Sequence, residues 1–448
     1  MTVQSARDDA VLQGLRRHLR PLPAAAAADA ALMARIARSR IALLGEASHG
    51  SHEFYAERAD LTRKLIAEHG FRAVVVEADW PDAGRVNRYV RGLSDDPDAA
   101  TALSGFERFP TWMWRNTVVR DFVEWLRAHN RGRPPAHQAG FYGMDLYSLF
   151  RSVDAVLGYL DQADPESAQR ARARYACFDH YAQDGQAYGY AAGLGMKASC
   201  EDGVIQQLRE LNLRATEALP VSRQDRDDLF FAQQNARLVR NAEEYYRTLL
   251  RGRVSSWNLR DAHMVETLQA LEKHLAGNDG PPRMAVWAHN SHLGDASATE
   301  MGEQGEWNVG QLARDRWGPD AVLVGFSTHH GTVTAASEWN GPGERKRVRA
   351  GLQGSHEDLF HQSGQPRFWL PLADDAALAA LLSQRRLQRA IGVIYQPRTE
   401  RQSHYFQTRL PLQFDAMIHI DTTHALEPLV PPPQWHTGEP PETYPWGL

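Results

Sequence analysis

Ile41-Ala42-Leu43-Leu44-Gly45-Glu46-Ala47-Ser48-His49-Gly50 is the stretch on which the fold turns. Its four leading apolar residues, bounded by glycine, read as a short strand buried on both faces. Behind them come a glutamate and a histidine three positions apart, between Gly45 and Gly50, which permit a tight backbone turn. From Ser51 to His69 the period changes, and Phe54, Leu61 and Leu65 mark one face of a helix. A strand, a polar turn and a helix make the first unit of an α/β fold. The alternation continues outward. Apolar runs at 73–76, 141–144, 284–288, 321–325, 391–395 and 416–420 read as further buried strands, which predicts a mainly parallel sheet flanked by helices. In such sheets, functional residues gather beyond the carboxyl ends of the strands.

Between 161 and 276 the pattern shifts to long, polar, helix-forming stretches. The clearest is 225–250, where Leu229, Ala232, Ala236 and Val239 repeat at helical spacing. The chain therefore divides into an N-terminal α/β part (1–160) carrying the first site strands, a helical insertion or cap (161–276), and a C-terminal α/β part (277–430) of the same catalytic domain. The tail at 431–448 is rich in proline and predicts an extended strap anchored by Trp435 and Trp446.

Composition narrows the function classes. Of 448 residues 43% are hydrophobic and 23% charged, ordinary for a globular chain with a large core. A net charge of -5 leaves no basic surplus for neutralising phosphates, so nucleic acid is not an expected partner. The two cysteines, Cys177 and Cys200, read as reduced thiols of a cytosolic protein. No signal-peptide run opens the chain and no apolar segment is long enough to span a bilayer. The expectation is a cytoplasmic protein with no membrane partner. Its oligomeric state is not legible.

The chemistry concentrates at strand ends. Arg58 falls on the apolar face of its helix, four residues after Phe54, and a buried guanidinium needs a carboxylate. Glu46 and Glu77, each at the end of a strand run, are the candidates. A second histidine pair, His289 and His292, follows the run 284–288. A structural arginine–glutamate network with loop histidines is the plainer account of the same residues. Other reaction classes lack their motifs: there is no G-x-S-x-G elbow, no Walker A or G-x-G-x-x-G loop, and His52-Glu53 meets Ala56 where H-E-x-x-H needs histidine. Trp80, Phe106, Phe109, Trp112 and Trp114 predict either an apolar cleft wall or core packing. Asn258-Leu259-Arg260-Asp261 reads as a helix start, which leaves Arg260 outside the site. Arg398, Glu400, Ser403 and His404 read as a solvated loop with some contact at the rim.

Taken together, G-E-x-x-H-G at 45–50, the arginine twelve residues after its glutamate, Glu77 thirty-one after it, and the later H-x-x-H resemble the erythromycin esterase family over roughly 41–423. The resemblance implies that Glu46, His49, Arg58, Glu77, His289 and His292 are catalytic. It implies hydrolysis of an ester or macrolide lactone, an antibiotic-resistance chemistry, by histidine-activated water with no covalent serine intermediate. A small-molecule ester or lactone is then the partner, contacted by Trp80, Phe109, Trp112, Trp114 and His404. Glu46 or Glu77 would orient the imidazole, Arg58 would hold the carboxylates, and His289 or His292 would face the oxyanion. No cofactor is required. A metal-dependent hydrolase using the same histidines, with a divalent metal, is one alternative; a non-catalytic haem- or metal-binding protein of a related fold is the other.

Overall fold

The computed structural model describes residues 3–181, 184–217, 222–249, 252–277 and 280–432. The tail expectation, including Trp435 and Trp446, falls almost wholly outside them. The strands are β1 (Arg20–Pro21), β2 (Ile41–Leu44), β3 (Phe71–Asp79), β4 (Gly140–Asp145), β5 (Arg283–Trp287), β6 (Ala321–Ser327), β7 (His330–Ala335), β8 (Glu344–Val348), β9 (Arg367–Leu370), β10 (Arg386–Arg389), β11 (Tyr405–Thr408), β12 (Ala416–Ile420) and β13 (Thr422–Thr423). Eight of them form one mixed sheet in the order β1-β9-β12-β6-β2-β5-β3-β4. The protein is an α/β fold, as the alternating pattern predicts.

The opening strand is central for a physical reason. Every residue of β2 is buried, so both faces need covering and both edges need partners. It pairs in parallel with β5 through Ile41 and Met284, and with β6 through Ile41 and Ala321. Strand β12 runs parallel to β6, whereas β9 and then β1 close that side antiparallel. The carboxyl ends of β5, β2, β6 and β12 therefore open at one rim.

One expected strand is corrected. Residues 391–395 form isolated bridges, Ile391 with Ser48 and Ile394 with Ala336, in place of a ladder. The Ile391 N–H donates to the Ala47 carbonyl at 2.9 Å, and the His49 N–H donates to the Ile391 carbonyl at 3.2 Å. Its backbone groups are spent on holding the 45–50 turn. An apolar run alone does not distinguish such a clasp from a strand.

Val75–Asn87 and Phe141–Pro281 form one compact unit, and the other described residues form a second. The smaller unit is largely helical from Leu149 to Leu275. Its helix Arg223–Thr248 buries Leu229, Ala232, Ala236 and Val239, and Ser222 and Asp225 make a reciprocal capping box at its start. The expectation of two reduced thiols is also corrected, since Cys177 and Cys200 form a disulfide. The Tyr188 hydroxyl accepts from the Cys200 N–H at 2.9 Å and donates to Glu243 at 2.6 Å, which fixes the segment leading into the next helix. The two Cα atoms thus lie 5.8 Å apart, within disulfide reach. Among the described residues, no helix is long and apolar enough to cross a membrane.

Candidate active site

In the larger unit, the turn after β2 is shaped by close approach. Neither Gly45 nor Gly50 takes a left-handed φ. A Cβ on Gly45 would fall 2.1 Å from the Asn290 side-chain oxygen, and one on Gly50 would fall 1.8 Å from the Thr334 carbonyl. Any side chain there would push the turn off its neighbours. Asn290 shows why contact is needed: its N–H donates to the Glu46 carbonyl at 2.8 Å, and its Nδ2 donates to the Phe326 carbonyl at 2.7 Å. One residue, through its backbone and its side chain, thereby ties together the ends of β2, β5 and β6.

On this turn Glu46 is shared. Its Oε1 lies 2.9 Å from His49 Nδ1, and its Oε2 accepts from Arg58 Nη2. Arg58, on the helix His52–His69, is fully buried, with its guanidinium 4.4 Å from the Tyr55 ring centroid and 5.4 Å from that of Trp287. The Tyr55 hydroxyl donates to the His49 carbonyl at 2.9 Å. A carboxylate beside Nδ1 makes that nitrogen the donor, which leaves Nε2 with the lone pair. His49 is thus presented as a base at Nε2.

His289 follows β5 with its ring centroid 4.9 Å from that of His49. Its Nδ1 accepts from the Ser291 N–H at 3.2 Å, which places the proton of the neutral imidazole on Nε2. The two rings therefore carry opposite roles, one acceptor and one donor. His292 is buried in the short helix Asn290–Leu293. Ser48 is buried as well, and its hydroxyl lies 2.5 Å from that of Ser51.

The smaller unit carries a second carboxylate–arginine cluster. Glu77 lies within β3, two residues before its end, and Asp145 ends β4. Arg260 donates to both, from Nη2 to Glu77 at 2.9 Å, and from Nε and Nη2 to Asp145 at 2.9 and 2.7 Å. The expectation for Arg260 is corrected here: the helix spans Arg253–Leu275, so Asn258 is interior and Arg260 points at the carboxylates. Arg260 is thus a guanidinium that pairs with Glu77. Burial opposes charge on Arg260, yet Asp145, Tyr147 and Glu77 raise it well above the ordinary guanidinium range. Burial pushes the Tyr147 phenol well up, and lowers His263, on the same helix as Arg260, to about 3, so both are neutral at pH 7. Asp145 could have been found by the rule that singled out Glu77, since it too follows an apolar run.

The aromatic candidates separate between the units. Trp80 is buried with Tyr142, Phe230 and Phe231 in the smaller one. In the larger one Phe106 packs on Trp114, which backs Tyr55, and both Trp112 and Trp114 are buried. Phe109 lies against Trp112 and against the exposed Trp339. His404 and Glu400 are buried, contrary to a solvated loop: Gln396 N–H donates to His404 Nε2, and Glu400 pairs with Arg389 at 3.2 Å.

Residues 66–423 match the erythromycin esterase family. The chain belongs to that family. The Bacillus subtilis (strain 168) protein described as "Putative hydrolase YbfO" is 21% identical over 430 residues, 91% of this chain and 90% of that protein. Among solved structures, a succinoglycan biosynthesis protein superposes with a TM-score of 0.77 at 19% identity, covering 95% of this chain and 100% of that one. The erythromycin esterase EreC, crystallised as a histidine-to-asparagine mutant in its open conformation, superposes with a TM-score of 0.64 at 17% identity, covering 89% and 95%. These superpositions bear on fold, and on this family's α/β sheet in particular.

Proposed function

We propose that this erythromycin esterase family member hydrolyses a small-molecule ester or macrolide lactone with water activated by His49 and no covalent intermediate. The observation that carries the reading is the shared Glu46, one oxygen on His49 Nδ1 and the other on Arg58. Arg58 holds the carboxylate in place, and the carboxylate keeps His49 Nε2 as the acceptor. As water attacks the ester carbonyl, Nε2 takes its proton, and Glu46 stabilises the imidazolium that forms. His289, protonated at Nε2, donates to the carbonyl oxygen as it becomes an oxyanion. The proton then passes from His49 to the leaving alkoxide. The family pattern adds Glu77 and His292 to these residues, and Phe109 with Trp339 offers an apolar surface for a bulky substrate.

Both oxygens of Glu46 are already engaged, by a guanidinium and an imidazole. That set suits an ion-paired base better than a cation, so turnover should persist after dialysis against a strong chelator. The deciding experiment assays the purified protein on a panel of macrolides, simple lactones and aryl esters, with rapid-quench detection of the released alcohol. Turnover without a pre-steady-state burst is expected. A burst equal to the enzyme concentration would replace direct water attack by a covalent route, and no turnover on any ester would remove the reading.

A further inference from the structure

We propose that His329, His330, His361 and Asp421 bind one divalent transition-metal ion of the zinc type, at a site sharing no residue with the His49–His289 cluster. His329 lies between β6 and β7, His330 opens β7, Asp421 separates β12 from β13, and His361 lies on the helix His356–Gln362. One donor atom from each of the four lies within 4.8 Å of all the others. Three imidazoles and a carboxylate are borderline ligands, which suit zinc, cobalt or nickel better than magnesium or calcium.

The geometry is that of ligands brought close to a common point. His329 Nδ1 and His330 Nδ1 face each other at 2.9 Å, and His361 Nδ1 lies 2.8 Å from an Asp421 oxygen. Ligands of a tetrahedral zinc ion, with bonds of about 2.0–2.2 Å, sit roughly 3.3 Å apart. The close pairs need to open by about half an ångström and the widest to close by somewhat more than one. Two facing imidazole nitrogens can share only one proton, whereas a cation takes both lone pairs.

The surrounding groups are placed as outer partners of metal ligands commonly are. His330 Nε2 lies 3.1 Å from the Thr422 hydroxyl, so it can donate there and leave its Nδ1 lone pair inward. Behind Asp421 stands the buried His419, with Nε2 at 3.4 Å from the carboxylate and Nδ1 at 2.8 Å from the Ser327 hydroxyl. His329 and His361 stack at 3.8 Å with nearly parallel rings. Arg389 Nη2 donates to the Thr328 and His329 carbonyls, both at 2.7 Å, and fixes the backbone from which His329 projects. His361 keeps 44% of its side chain exposed, which gives an ion a route from solvent.

The test uses the full chain, stripped by chelator, dialysed and titrated with zinc by calorimetry, with metal content measured in parallel. One equivalent should bind and raise the melting temperature, and cobalt in its place should give the visible absorption of a tetrahedral site. His361→Ala removes an exposed ligand and should weaken zinc at least roughly tenfold, with unchanged circular dichroism and ester turnover; Asp421→Asn should do the same. His49→Ala should leave the zinc equivalent in place. Absence of zinc binding, or zinc that survives His361→Ala and is lost in His49→Ala, would overturn the assignment. His361→Ala alone is sufficient should Asp421→Asn fail to fold.

Discussion

Glu46 and Glu77 are both buried carboxylates paired with an arginine, fully buried for Glu46 and partly buried for Glu77, yet they are built differently. Glu46 divides its two oxygens between Arg58, twelve residues on, and His49, three residues on, so that ionic pairing is converted into orientation of a base. Glu77 shares Arg260 with Asp145, which holds that guanidinium through two nitrogens. The arginine in the first cluster serves one carboxylate, and in the second it joins two. The difference suggests where a substitution acts on rate and where on stability.

The largest effect separates the clusters by chemistry. His49→Ala should lower kcat by roughly a hundredfold or more, the usual weight of a general base. Glu46 keeps Arg58 in that variant, so no buried charge is stranded and the melting temperature should change little. A variant with near-normal kcat would assign the base elsewhere.

Glu46→Gln comes next and couples rate to stability. It leaves the fully buried Arg58 without its carboxylate, and breaking a buried pair costs about 3–5 kcal/mol. It also releases the His49 tautomer, so activity per folded molecule should fall roughly a hundredfold. Denaturant unfolding beside single-turnover rates reads the two losses apart. Loss of stability with full turnover would make this pair purely structural.

Glu77→Gln should be milder on both axes. Asp145 continues to pair with Arg260, so the fold should lose about 1–3 kcal/mol, as for one charged hydrogen-bond partner. The proposed role of Glu77 in hydrolysis requires kcat to fall by roughly tenfold or more. Full activity would place Glu77 with Asp145 as support for the smaller unit.

These two clusters also show what sequence patterns can carry. The Glu46 cluster is local: Arg58 is twelve residues from its carboxylate on a helix whose apolar face is legible, and His49 is three away. Arg260 lies 183 residues from Glu77, on a polar helix whose interior resembled a start, so nothing nearby advertised the pairing. His329, His330, His361 and Asp421 are gathered from separate elements by the order of β6 and β12, which short apolar runs do not reveal. The adjacent histidines after 321–325 were the one local hint. Six of the seven apolar runs mark strands; the seventh, 391–395, serves one turn's backbone, and β9, though Phe368, Trp369 and Leu370 are buried, is not among them.

The smallest expected effect tests the route of attack. Ser48 sits beside His49 and is the hydroxyl a covalent mechanism would recruit. Its Oγ lies 2.5 Å from that of Ser51 in a buried pair, and the Ser48 backbone bridges to Ile391. That pairing engages the Ser48 hydroxyl with Ser51. Ser48→Ala should therefore leave kcat within a few-fold of the parent, with a stability loss of about 1 kcal/mol from the missing hydrogen bond. The measurement is steady-state turnover together with the rapid-quench trace on the same ester. Loss of activity comparable to His49→Ala, accompanied by disappearance of an alcohol burst, would make Ser48 the nucleophile and reduce His49 to its base. Unchanged kinetics in Ser48→Ala, set against the collapse in His49→Ala, would instead leave water as the attacking group.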